Sequence, residues 1–159
     1  MPPAGVVIAR ASAADCAALA ALIHLAFAAY RGELVPDSGA HAETAESLAT
    51  ALEKGAAFRA LSGGHLMGCV FTERRADRLY FGRLAVAPEA RGRGIGSALL
   101  AAVESEARAL GLPRLELGVR LVLHDNIRLF QRAGFVITRQ ESHPGFAVPT
   151  YHVMEKLLE

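Results

Sequence analysis

Apolar positions recur along this chain with two periods, and the change from one to the other lays out its elements. Val6 to Arg10 is a short apolar run that predicts a first strand. Leu19, Leu22, Ile23, Ala26, Phe27 and Tyr30 then follow i, i+3, i+4, i+7 spacing. That spacing predicts one helix, capped at Ser12 or Asp15 and running to about Tyr30. Proline, aspartate and two glycines between Arg31 and Ala40 predict a loop. Ala42 to Lys54 predicts a second, weaker helix stopped at Gly55; its apolar residues are mostly alanine, which predicts a surface position.

The period then shortens to two. Ala57–Leu61 and His65–Glu73 read as strands joined through Ser62-Gly63-Gly64, because glycine takes positive φ at no steric cost. A polar turn over Arg74 to Arg78 leads into a central strand, Leu79 to Ala87. Helical spacing returns over Ser97 to Leu110 and stops at Gly111-Leu112-Pro113. Arg114–Val119 predicts a strand, Asp125–Ala133 a short helix ended at Gly134, Phe135–Thr138 a strand, and Gln140–Pro149 a long loop. In the last predicted strand, Thr150–Leu158, Tyr151, Val153 and Glu155 alternate with His152, Met154 and Lys156. The order is β-α-α-β-β-β-α-β-α-β-β. A strand–helix–strand crossover makes its two strands parallel, whereas short turns make neighbours antiparallel. The expected class is therefore α+β in three layers: a mixed, mostly antiparallel sheet of six to seven strands with helices on both faces.

Composition narrows the class. A chain of 159 residues fits one domain over 1–159 and can bury a core without covalent staples. A net charge of +1 with no long basic run argues against a nucleic-acid footprint. Cys16 and Cys69 lack CxxC spacing and, with His124, His143 and His152, form no metal set. No basic region followed by a long apolar run opens the chain, and the longest uncharged apolar stretch, Cys16 to Tyr30, contains His24. These features predict a soluble, cytoplasmic protein with no membrane, nucleic-acid or metal partner. The final strand region could pair with a second copy, which leaves a homodimer open.

The chemistry concentrates in Leu79 to Leu100, LYFGRLAVAPEARGRGIGSALL. Pro88 ends the strand, since proline cannot donate to a ladder. Three glycines in Arg91-Gly92-Arg93-Gly94-Ile95-Gly96 let several N–H groups point one way. A helix N-terminus behind them adds unpaired donors and partial positive charge, and two arginines add full charges. Together these describe a pyrophosphate cradle. A dinucleotide fold would place such a turn after an early first strand, and a P-loop would follow it with Lys-Ser/Thr; neither holds.

The longer string resembles the acetyl-coenzyme A (acetyl-CoA) motif of the GNAT (GCN5-related) N-acetyltransferases, Arg/Gln-x-x-Gly-x-Gly/Ala, matched by Arg91, Gly94 and Gly96. Asn126 to Phe135, NIRLFQRAGF, resembles that family's (N)xxLYxxxGF segment. The resemblance implies an acyl-CoA N-acyltransferase fold and transfer of an acetyl group to a primary amine of a small molecule or peptide, by direct attack in a ternary complex. It implies that backbone groups of Leu84, Ala85 and Val86 meet the pantetheine arm and that the amides of Arg91, Gly92, Arg93, Gly94, Ile95, Gly96 and Ser97 hold the pyrophosphate. Asn126 and Phe130 are carried over as cofactor-binding, although the family's asparagine stands further upstream. Many members have tyrosine where Phe130 stands, acting as acid for the thiolate; phenylalanine has no proton to give. Tyr151 and His152 are conceivable substitutes. The attacking amine must be neutral, and a lysine-like amine has a pKa near ~10.4, so a base is needed. Glu116 on the strand after the cofactor helix and Glu33 in the loop joining the first two helices are the candidates, with Tyr151 as acid. The missing acid leaves an alternative, a non-catalytic acyl-CoA-binding or sensor module.

Overall fold

The computed structural model describes residues 2–159. Seven strands, β1 (Val6–Arg10), β2 (Ala57–Ser62), β3 (His65–Arg74), β4 (Leu79–Val86), β5 (Arg114–Arg120), β6 (Val136–Glu141) and β7 (Tyr151–Leu157), form one sheet in the order β1-β2-β3-β4-β5-β7-β6. Every neighbouring pair is antiparallel except β4 and β5. The helices are α1 (Cys16–Phe27), α2 (Ala45–Leu52), α3 (Ile95–Ala109) and α4 (His124–Arg132). Helices α1 and α2 pack together, α1 also against β3 and β4, and α3 crosses the sheet from β1 to β5.

Local chemistry explains where the observed elements depart from expectation. The second helix is shorter than Ala42–Lys54, because Thr44 caps it: Ser47 N–H donates to Thr44 Oγ1 at 3.0 Å and Thr44 N–H to Ser47 Oγ at 2.8 Å. It is also more than a surface helix, since Leu48 is buried against the core. Helix α3 starts two residues early, at Ile95, because Gly94 takes the left-handed conformation (φ +81°) and serves as its N-cap. Ala13–Tyr30 has the length and apolarity of a membrane-spanning segment, longer than the stretch starting at Cys16. Within the fold its Leu19 and Ile23 have no exposed surface and belong to the core cluster. The final strand is not the edge expected of a pairing surface: β7 lies between β5 and β6, and the edges of the sheet are β1 and β6.

The seam between β4 and β5 shapes the molecule. These strands pair only at Leu79↔Leu115 and Tyr80↔Glu116. On its other side β4 pairs with β3 at Cys69↔Ala85 and next at Phe71↔Gly82, so that Val70 of β3 faces both Arg83 and Leu84 of β4. That is a β-bulge, and Arg83 sits in it with φ +53°, a region uncommon for any side chain but glycine. Meanwhile β5 is held by β7 along its whole length, from Arg114↔Leu157 to Arg120↔Tyr151. Beyond Tyr80, therefore, β4 follows β3, β5 follows β7, and a wedge opens between them.

Below the wedge the core is aromatic. Phe81, 1% exposed, meets Phe130 and Phe135 edge to face at centroid distances of 6.3 and 5.7 Å. Phe81→Ala should cost about 3–5 kcal/mol of unfolding free energy, read from a urea midpoint at unchanged slope; a cost well under 1 kcal/mol would show that this cluster does not hold the wedge.

Candidate active site

The wedge widens into a cleft of about 1190 Å³ that runs from the N-terminus of α3, along β4 and α4, to the loops before α2 and between β6 and β7. A drug-sized ligand fills roughly 300–1,000 Å³, so the cleft has room for a long cofactor arm and a second ligand.

At one end stands the glycine turn. Gly92 and Gly94 have φ +77° and +81°, which side-chain-bearing residues rarely adopt. No backbone or side-chain acceptor takes the N–H groups of Gly92 through Ser97 among the described residues. These donors stand at the positive end of a 15-residue helix. All the candidate cofactor residues line the cleft except Arg93, which is exposed and outside its wall. Arg91 lines it, but its guanidinium donates to the Ala26 carbonyl at 2.8 Å and ties the turn to the end of α1. The candidate cradle thus presents backbone N–H groups, with Arg91 held by one guanidinium bond at its wall and Arg93 facing solvent.

Leu84, Ala85 and Val86 form the β4 wall, where β4 has no β5 partner, and Asn126 and Phe130 of α4 line the same cleft. Phe130 is 8% exposed and packed on Phe81 and Phe135. The aromatic packing that a tyrosine would give is present without the hydroxyl.

At the far end, the sequence-predicted proton-transfer residues are only partly brought together. Glu33 is exposed and does not line the cleft. Glu116 does line it and is 3% exposed, but Arg75 donates to one carboxylate oxygen at 2.9 Å and Arg78 to the other at 2.5 Å. Arg139 stands 3.9 Å away. Both oxygens are thus taken up by guanidinium groups, and the geometry makes Glu116 a charge anchor for the first turns of β4 and β5 rather than a free base. Tyr151 lines the cleft; His152, one residue on, does not.

Three further residues converge there. Tyr80 lies under the Arg75 guanidinium, 4.2 Å from its ring centroid, and burial pushes its hydroxyl pKa up. Gly118 opens the floor: a Cβ there would sit 3.4 Å from the Tyr151 ring and 3.6 Å from the Tyr80 hydroxyl. His143, in the β6–β7 loop, stacks edge-on to Tyr151 at 5.0 Å, and its Nδ1 and backbone N–H both contact Thr150 Oγ1. Burial first, and the Arg120 charge second, push its imidazole below the usual pKa. Arg120 itself donates to the carbonyls of Pro36 at 2.6 Å and Asp37 at 3.2 Å. One signal for this group was present in the sequence: Glu116, Gly118 and Arg120 are two apart on one strand and so share a face.

A depressed imidazole titrates below the ordinary histidine value of about 6.5, so His143 is neutral at pH 7. Its ring-proton NMR midpoint should fall below that value, and Arg120→Met, which removes a neighbouring positive charge, should move it upward. A midpoint unchanged by Arg120→Met would separate the two groups.

A family model described as "Acetyltransferase (GNAT) family" matches residues 19–135. Solved structures share the fold. PaiA N-acetyltransferase from Thermoplasma acidophilum, in complex with coenzyme A, is 18% identical, with a TM-score of 0.82 over 96% of this chain and 99% of that one. The ribosomal-protein-S18-alanine N-acetyltransferase of Escherichia coli is 21% identical, with a TM-score of 0.75 over 96% and 93%. YncA of Salmonella typhimurium, a putative acetyltransferase with its cofactor acetyl-CoA, is 20% identical, with a TM-score of 0.75 over 98% and 95%. No curated protein matches the chain. A backbone cradle at the head of α3, an opened β4–β5 seam behind it and a family match over both put the chain in the GNAT acetyltransferase family.

Proposed function

We propose that this protein is an N-acetyltransferase that passes the acetyl group of acetyl-CoA to a primary amine by direct attack in a ternary complex. One observation carries the reading: the free N–H groups of Gly92 to Ser97 open into the same cleft as the unpaired edge of β4 and the cluster of Tyr80, His143 and Tyr151. A diphosphate fits the first, an extended amide-bearing arm the second, and a polar acceptor the third.

The residues divide the work as follows. Backbone amides at the α3 N-terminus hold the diphosphate. Unpaired backbone groups of Leu84 to Val86 align the arm, and an N–H near Val86 donates to the oxygen that gains charge as the amine adds. In the tautomer that donates Nδ1–H to Thr150 Oγ1, His143 keeps its Nε2 lone pair for the amine proton. The new C–N bond forms as the C–S bond breaks, and the thiolate leaves with the electron pair. A thiol with pKa about 8.5 can leave as the anion; Tyr80, held protonated by burial, and Tyr151 are the hydroxyls nearest the seam that could protonate it. We place this chemistry in the cytoplasm, where Cys16 and Cys69 stay free thiols.

The lack of a hydroxyl on Phe130 supports a second reading, an acyl-CoA-binding module without turnover. Free-thiol release from acetyl-CoA across a panel of amines decides between them. Turnover is expected with at least one amine, and His143→Gln should lower kcat by roughly 10²–10⁴-fold with little change in the KM for acetyl-CoA. Tight calorimetric binding of acetyl-CoA with no thiol release from any amine would establish the second reading instead.

A further inference from the structure

The acceptor end of the cleft is rich in arginine, and nearly every charge there is matched. Glu43 accepts from Arg83 Nε at 2.7 Å, Glu73 from Arg75 Nε at 2.8 Å, and Glu116 from Arg75 and Arg78. Among the arginines there, Arg120 is the exception. Among the described residues no carboxylate oxygen lies within 4.0 Å of it, and its partners are two neutral carbonyls. Those bonds use two of its five N–H donors and hold the guanidinium in place. Burial opposes the Arg120 charge first; the Asp37 carboxylate, beyond ion-pair distance, favours it, and the like charge of Arg83 opposes it in turn. A half-buried, immobilised cation with no carboxylate within ion-pair distance is an expensive way to pin a loop, since a neutral donor could reach two carbonyls. It suits a site whose missing partner arrives with the ligand.

We infer that the amine acceptor carries a carboxylate a few bonds from its reactive nitrogen, in the manner of a free amino acid or close analogue, and that Arg120 binds it. The inference rests on the acetyltransferase reading above and specifies its acceptor. Arg120 lies two residues from Gly118 on the same side of β5, a separation of roughly 7 Å. The Arg120 charge is also felt at His143, so an amine beside His143 and Tyr151 can carry a carboxylate toward the guanidinium. A peptide N-terminus, whose α-carbonyl is an amide, brings no charge to that point.

The test compares thiol release for matched acceptors: amino acids, their carboxamides and the decarboxylated amines. The free acids should be preferred by roughly 10- to 100-fold in kcat/KM, the range expected for a charge-assisted hydrogen-bonded pair. In Arg120→Met that preference should fall toward one, with the loss appearing in the acceptor KM and not in the KM for acetyl-CoA. Arg120→Lys should keep part of it. Equal or better turnover of carboxamides by the unaltered protein would overturn the inference and leave the acetyltransferase reading standing. So would an Arg120→Met variant that slows acids and carboxamides alike, because a loop pin has no reason to distinguish them. Absence of thiol release with every amine would remove both.

Discussion

The structure depends on one deficit of hydrogen bonding: two ladder positions where two adjacent strands could have made many more. The β4–β5 seam closes at Leu79↔Leu115 and Tyr80↔Glu116 and then stops. An extra residue in β4, absorbed at Arg83 with positive φ, bends that strand away with β3. The full β5–β7 ladder keeps β5 from following. Backbone groups left without a strand partner are costly when buried, so the opened edge is stable only where solvent or a ligand with donors and acceptors meets it. Binding capacity in this fold comes from interrupting a sheet.

The same economy governs the charges. Arginines outnumber other cations around the cleft, yet most are fastened to carboxylates or carbonyls that position a strand or loop. Arg91 ties the glycine turn to α1, Arg83 fastens the bulge to Glu43 ahead of α2, and Arg75 with Arg78 anchors Glu116 where the seam closes. What remains unfastened to a carboxylate is backbone N–H at one end and the cleft-lining His143, Tyr80, Tyr151 and Arg120 at the other. Phe130 fits this division, since its ring supports the aromatic base of the wedge and the polar groups stand on β4, β7 and the β6–β7 loop.

The order and type of the elements were legible in the chain because they depend on period. Apolar spacing separated the helices from the strands, and Gly55, Gly111 and Gly134 marked where helices end. Boundaries shifted where a cap outweighed periodicity, as at Thr44 and Gly94. The glycine turn was legible for a related reason: a turn that needs left-handed backbone at Gly92 and Gly94 and leaves its amides free can be written in few ways. The polar cluster at the far end was not. Glu116 and Glu33 stood out as carboxylates in suggestive places, but local sequence carries no sign that Arg75 and Arg78, about forty residues earlier, would close over the first, or that the second would face solvent.

The sequence by itself determined a mixed sheet with helices on both faces and a left-handed glycine turn at the head of its longest helix, because periodicity, capping and glycine conformation are short-range properties. Only the tertiary structure decided that the sheet would part between β4 and β5, that β7 would insert inside the sheet and leave β6 at the edge, and which polar side chains would meet over Gly118. Those outcomes turn on register and on ion pairs between residues far apart in the chain, and such interactions have no period from which they could be read.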